Sequence, residues 1–138
     1  MILVIRIQGS AELNTPIEET LNRLNIHRKF ATTFIDEKNE VLMGMLEKIK
    51  NYVCFYEIDE NTAKQIILKR GQTKMGKKIN EKDVDKIWEN IKKGEWTIKK
   101  FFRLHPPIGG FRKNTKLIYP KGILGKNKDI TKLVLRML

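Results

Sequence analysis

Over the first 58 residues, three dense apolar runs alternate with two stretches whose apolar residues recur at helical spacing. Residues 2–8 (ILVIRIQ) are apolar on both sides of an extended chain, and only Arg6 and Gln8 interrupt them. They predict a central strand covered by helices on at least one face. Gly9 and Ser10 end it. Thr15 stands as an N-cap, Pro16 at the first helical position, and Glu18 where a capping box needs a carboxylate. Behind them Ile17, Leu21 and Leu24 make one apolar face. Residues 29–36 (KFATTFID), β-branched and aromatic, predict a second strand, and residues 37–39 a turn. Leu42, Met45, Leu46 and Ile49 stripe a second helix ending near Asn51, and residues 52–58 (YVCFYEI) predict a third strand.

The second half keeps the helical spacing and loses the dense runs. Residues 59–70 predict a third helix that starts at Asp59 or Glu60, turns Ala63, Ile66 and Ile67 inward, and stops at Gly71. A basic loop, residues 72–78 (QTKMGKK), follows. Asn80 caps a fourth helix with Asp83 at its third position, a stripe of Val84, Ile87, Trp88 and Ile91, and Gly94 at its end. From Thr97 the alternation is weak. His105, Pro106 and Pro107 forbid helix, and Gly109 and Gly110 permit tight bends. Ile130, Leu133, Val134 and Met137 form the docked side of a terminal helix. No internal repeat or low-complexity tract is visible.

Charge changes this picture more than composition does. Residues 1–58 carry seven basic and eight acidic groups, residues 59–100 twelve and seven, and residues 101–138 nine Lys/Arg and one Asp. The net +12 therefore sits in the second half, which points to an anionic partner; for a strongly basic soluble chain that is most often nucleic acid. Lysine outnumbers arginine 21 to 7, so the few arginines are the better candidates for bidentate contacts. At 138 residues the chain suits one structural domain. A core at residues 1–58 is expected to carry a basic extension at residues 59–138. No apolar run approaches the ~18 residues of a membrane span. The start of the chain lacks the basic region of a signal peptide, so no membrane partner is expected. One cysteine, Cys54, allows no intrachain disulfide and fits a reducing compartment.

Little here supports catalysis. Residues 71–77 match the first seven positions of a phosphate-binding loop, but Lys78 replaces the Ser/Thr that would hold magnesium, and a helix rather than a strand precedes it. Cys54, His27 and His105 are too few and too scattered for zinc, and Cys54 reads as a buried, inert thiol. The carboxylate pairs Glu18-Glu19 and Asp36-Glu37 read as capping and solvated groups. No cofactor, metal or small-molecule substrate is expected. The cations are the candidate site. Arg23, His27, Arg28 and Lys29 cluster at the end of the first helix. Arg70, Lys74, Lys77 and Lys78 surround the basic loop. Arg103, His105, Arg112, Lys113, Lys116, Lys121, Lys126 and Lys128 follow with aromatic residues between them. Cations neutralise phosphate, and aromatic rings stack on exposed bases.

These residues also carry a family likeness. Residues 4–7 with Gly9, residues 20–24 through His27 and Arg28, Gly44-Met45-Leu46 with Lys48 and Lys50, Tyr52-Val53, and residues 57–60 all take part. So do residues 68–71, and above all Arg103-Leu104-His105-Pro106-Pro107 with Gly110-Phe111. On these the chain resembles the large-subunit ribosomal protein family called L-thirty in bacteria and archaea and L-seven in eukaryotes, in its longer archaeal form. It departs in a shorter connector before the RLHPP block and in the tail segment of residues 120–125, which has one glycine fewer. The resemblance implies an α+β fold: a β-α-β-α-β core, ferredoxin-like in part, with a three-stranded sheet covered by two helices, plus a basic helical and extended C-terminal extension. It implies a structural protein of the cytoplasmic ribosome without enzyme activity. Its partners would be large-subunit rRNA, 5S rRNA and neighbouring ribosomal proteins. The alternatives are a general nucleic-acid-binding protein and, further off, a nucleotide-using enzyme built on residues 71–78.

Overall fold

The first strand, β1 (Ile2–Arg6), is buried over its whole length. Ile2 and Val4 face one apolar cluster while Leu3, Ile5 and then Ile7 face another. Successive side chains on a strand point to opposite faces, so an unbroken apolar run needs cover on both. In this computed structural model residues 1–9, 13–119 and 121–138 are described. Ser10, expected to help end β1, and Pro120 in the tail lie outside them.

The described elements that follow are α1 (Thr15–Arg23), β2 (Ala31–Ile35), α2 (Glu40–Ile49), β3 (Val53–Glu57), α3 (Glu60–Arg70), α4 (Glu81–Lys92), β4 (Phe102–Arg103), β5 (Asn114–Ile118), β6 (Gly122–Lys126) and α5 (Ile130–Met137). The α+β class and the β-α-β-α-β order of the first 58 residues are as expected. β1 lies antiparallel to β2 on one side and to β3 on the other. These three are the centre of a six-stranded sheet of order β4-β2-β1-β3-β6-β5. β4 adds antiparallel to β2, and β6 adds parallel to β3. The flanking strands are short, polar or glycine-bearing, so they leave little trace in the apolar pattern.

The helices cover both faces. Leu21 and Leu24 near α1, with Leu46 and Ile49 of α2, pack on Ile2, Val4, Val53 and Phe55. On the other face α3, α4 and α5 bury Ala63, Ile66, Ile67, Val84, Trp88, Leu133 and Met137 against Leu3, Ile5 and Phe34. Phe34 meets Trp88 and Phe102 edge to face at 5.4 and 5.3 Å. The stripes read from spacing face the core, with Ile17, Leu42 and Met45 only partly buried at its edge. One acidic group from each of α3 and α4 is shared between the helices: Lys64 reaches Glu60 at 3.2 Å and Asp85 at 2.8 Å, and those carboxylates, Asp85 first, raise its pKa.

Helix ends differ from expectation in detail. Thr15 is already helical and Asn14 holds the N-cap position without a side-chain bond, so the capping box at Thr15 and Glu18 does not form. The Asn14 carbonyl instead accepts from the amides of Ile17 and Glu18. Asn80 is at the expected N-cap of α4, again through its backbone only. Asn39 caps α2 with its side chain, accepting from Val41 and Leu42. Gly71 ends α3 without a left-handed turn: its φ is −68°. The constraint there is space, because a Cβ would lie 2.3 Å from the Ile67 carbonyl oxygen and 2.6 Å from Ile79 Cδ1.

Gly71→Ala must therefore push Ile67 or Ile79 aside and should cost ~2 kcal/mol or more in urea unfolding, where a surface glycine replacement would cost far less. Cys54 is buried on β3, and burial pushes its thiol up to about 12 against the opposing hydrogen bond from Asn127. The native thiol should stay unreactive toward a disulfide reagent at pH 9 and react only on unfolding. The unfolded thiol ionises near pH ~8.5. Its contribution to stability is therefore complete below that pH and disappears as pH rises toward about 12.

Candidate nucleic-acid interface

The segment between α1 and β2 is held at both ends and free in the middle. Ile26 is fully buried, and its carbonyl accepts from Arg6 Nη1 at 2.9 Å. Arg6 Nε donates to the Gln8 carbonyl at 2.9 Å, and the Arg6 carbonyl accepts from the Phe30 amide at 2.7 Å. Arg6 is 1% exposed; burial lowers its pKa while Glu18 opposes the shift, and a guanidinium stays charged throughout the usual range. Asn25 at φ 63° and Phe30 at φ 67° sit in the left-handed region that side chains rarely adopt, so the chain is bent twice within six residues. Between the bends His27, Arg28 and Lys29 are exposed. His27 Nδ1 lies 3.0 Å from Asn22 Oδ1, and Lys29 Nζ lies 5.2 Å from the Phe30 ring centre.

β4 links this segment to the end of α3. Ala31 pairs with Arg103, which puts β4 beside the start of β2. Phe101 and Arg103 line a small hollow with Asn25, His27, Arg28 and Ala31. The same two residues line a larger one with Lys69, Arg70, Gly71, Gln72 and Lys78. The Arg103 guanidinium rests 5.5 Å from the Phe101 ring centre. Arg70 is half-buried, and its Nε has no acceptor among the described residues. Such a donor is costly to leave unmet, and an anion could meet it.

The strip continues on the other side. Phe30 and Phe111 lie 5.8 Å apart, and Gln8 Nε2 donates to the Thr115 carbonyl at 2.8 Å. Phe111, Arg112 and Lys113 line a hollow with Asp129, Lys132 and Arg136 near α5. Arg136 Nη1 donates to the Gly110 carbonyl at 2.7 Å, and the His105 and Ile108 amides donate to the carbonyls of Met137 and Arg136. The proline-glycine loop is thereby tied to α5, with His105 exposed on it. Lys113 is the compromised cation of this group: it lies 3.7 Å from Asp129 and 4.7 Å from the Tyr119 ring centre.

Not every candidate joins the strip. Arg23 pairs with Glu19 at 2.7 Å and lines another hollow with Trp96 and Lys100, which shares only Asn25 with the strip. Lys74 and Lys77 are exposed on the turn above Lys78. Lys116, Lys121 and Lys128 are exposed on β5, before β6 and before α5. Lys126 lies 5.8 Å from the Tyr56 ring centre in a cleft with Glu37, Glu47, Lys50 and Glu57. That cleft is at the other end of the sheet, where Ile2 pairs with Ile35 and Glu57. Glu37 there is raised above the ordinary carboxyl range, first by its hydrogen bond with Glu57, while the N-terminal ammonium opposes the shift. One end of the sheet therefore gathers cations and the other gathers carboxylates. Lys69, Lys132 and Arg136 belong to the cationic hollows, although the sequence alone does not single them out. Lys132 and Arg136 lie four apart beside the apolar stripe of α5, and Lys69 precedes Arg70.

The arrangement suits binding of a polyanion. Three amides of residues 72–78 are already used inside the turn: Thr73 donates to the Lys77 carbonyl, Gly76 to the Thr73 carbonyl and Lys77 to Thr73 Oγ1. Among the described residues no cluster of His, Cys, Asp and Glu could hold a metal ion, and no helix is long and apolar enough to cross a membrane.

Comparison with known proteins returns one family. A family described as Ribosomal protein L30p/L7e matches residues 2–53. Large ribosomal subunit protein uL30 of Cenarchaeum symbiosum is 35% identical over 151 residues, covering 99% of this chain and 97% of that protein. Its counterpart in Korarchaeum cryptofilum is 33% identical over 100% of this chain and 95% of its own length. That of Nanoarchaeum equitans is 34% identical over 96% of each. With likeness running through both halves, the chain belongs to the ribosomal protein L30p/L7e family, whose members are structural proteins of the large ribosomal subunit and not enzymes.

Proposed function

We propose that this chain binds large-subunit rRNA through the cationic end of its sheet, close to 5S rRNA and beside other ribosomal proteins. The observation that carries the reading is the sharing of Arg103 and Phe101 between two hollows. It joins His27 and Arg28 to Lys69, Arg70 and Lys78, residues far apart in the chain, into one basic strip. Residues 1–58 act as the platform, and residues 59–138 supply most of the charge. Folded rRNA offers phosphate and shape more than readable base edges, so the arginines and lysines fix position, and Phe101 offers a partly open ring beside them. The 5S neighbourhood rests on the family resemblance of the RLHPP block and its surroundings. A general nucleic-acid-binding role would need comparable affinity for random duplex DNA, whereas an rRNA-binding role requires clear preference for rRNA.

If about six cations engage phosphate, raising salt from 50 to 200 mM should weaken binding to folded large-subunit rRNA by ~10³-fold. A log–log slope near zero would contradict the reading. Arg103→Glu should weaken binding by roughly tenfold or more while leaving the Tm nearly unchanged, because the side chain is exposed and its charge serves no buried pair. Equal loss of stability and binding would make Arg103 a residue of the fold instead.

A further inference from the structure

Met75 is 87% exposed, the most open of the large apolar side chains among the described residues. A lone exposed apolar residue is ordinary. Its setting is less so. Gln72 bridges Lys78, and Thr73 bridges Ile98, at the base of the turn. Inside it Thr73 N–H donates to the Lys77 carbonyl at 2.8 Å, Gly76 N–H to the Thr73 carbonyl at 2.8 Å and Lys77 N–H to Thr73 Oγ1 at 3.1 Å. Gly76 supplies the left-handed step at φ +85°. A five-residue turn closed this way presents its tip in one direction, and the tip is an apolar thioether. Lys74, Lys77 and Lys78 are exposed around it, and Lys78 also lines the hollow with Arg70 and Arg103.

We propose that Met75 is a base-contacting tip: its thioether packs on the open face of an unpaired nucleobase in folded RNA while the flanking lysines hold the adjoining phosphates. This rests on the rRNA-binding reading and goes beyond it by assigning one side chain to a base rather than to the backbone. In the free protein an open methionine at this place contributes nothing to the core. Against RNA it has a use, because a flexible, polarisable side chain adapts to any base face, and every base has one. An apolar protein surface is a poorer fit, since docking there would strip water from three lysines without returning phosphate contacts.

The test uses the full chain and full-length large-subunit rRNA folded with magnesium, with Kd measured across a salt series. Met75→Ala should weaken binding by about tenfold with the salt slope unchanged, because no phosphate contact is removed. Met75→Leu should keep most of the affinity, and Lys77→Ala should reduce the slope by about one. The Tm of Met75→Ala should equal that of the parent. The proposal is overturned if Met75→Ala binds within twofold of the parent or if its loss comes with a reduced slope. Failure of the parent chain to bind rRNA in a salt-dependent way is a separate result and would remove the functional reading itself.

Discussion

The structure depends on a buried arginine at the end of its central strand. Arg6 is nearly inaccessible, and its guanidinium ties the Ile26 and Gln8 carbonyls while its own carbonyl holds the Phe30 amide. A charge taken out of water is tolerable only when its donors are met, so the chain on either side must come to Arg6. That requirement bends the α1–β2 segment twice and leaves His27, Arg28 and Lys29 pointing outward. The same strand pairs with β2 and β3, and through β2 with β4, which brings in Arg103. One anchored position in the core thus decides where several surface cations stand.

The sheet then sorts charge by its two ends. The end with Arg6, Phe30 and Arg103 collects basic residues from α3, β4 and the loops before β2 and β5. The end with Ile2 and Glu57 collects Glu37, Glu47 and Glu57. Three acidic groups of the second half pair with lysines of the same half: Glu60 and Asp85 with Lys64, and Asp129 with Lys113. Among the described residues, no carboxylate lines the two hollows that share Phe101 and Arg103. A field of one sign over a connected strip draws phosphate, and a mixed surface of the same total charge would do so less well.

Much of the fold is legible in the residues themselves. The dense runs around Val4, Phe34 and Phe55 are the central strands, and the stripes at Leu46, Ile66, Trp88 and Val134 are the buried sides of helices. β4, β5 and β6 escape such a reading because two residues, a polar strand and a glycine-bearing strand carry no periodic signal. The site is legible as an inventory of cations and not as a grouping. Arg28, Arg70 and Arg103 meet only because β4 pairs with β2 and α3 ends beside it, and long-range pairing has no local signature. Lys126 on β6 falls among carboxylates at the far end, for the same topological reason. Lys69 and Arg136 carry no signal of their own, because single basic residues at helix ends are commonplace.

Lysine acetylation of intact large subunits, compared with the isolated protein and read by mass spectrometry, tests the basic strip most directly. Lys29, Lys69 and Lys78 should be modified readily in the isolated chain and strongly protected in the subunit, with Lys38 and Lys48 protected far less. Equal reactivity of Lys29, Lys69 and Lys78 in both states would contradict the claim that this end of the sheet faces RNA.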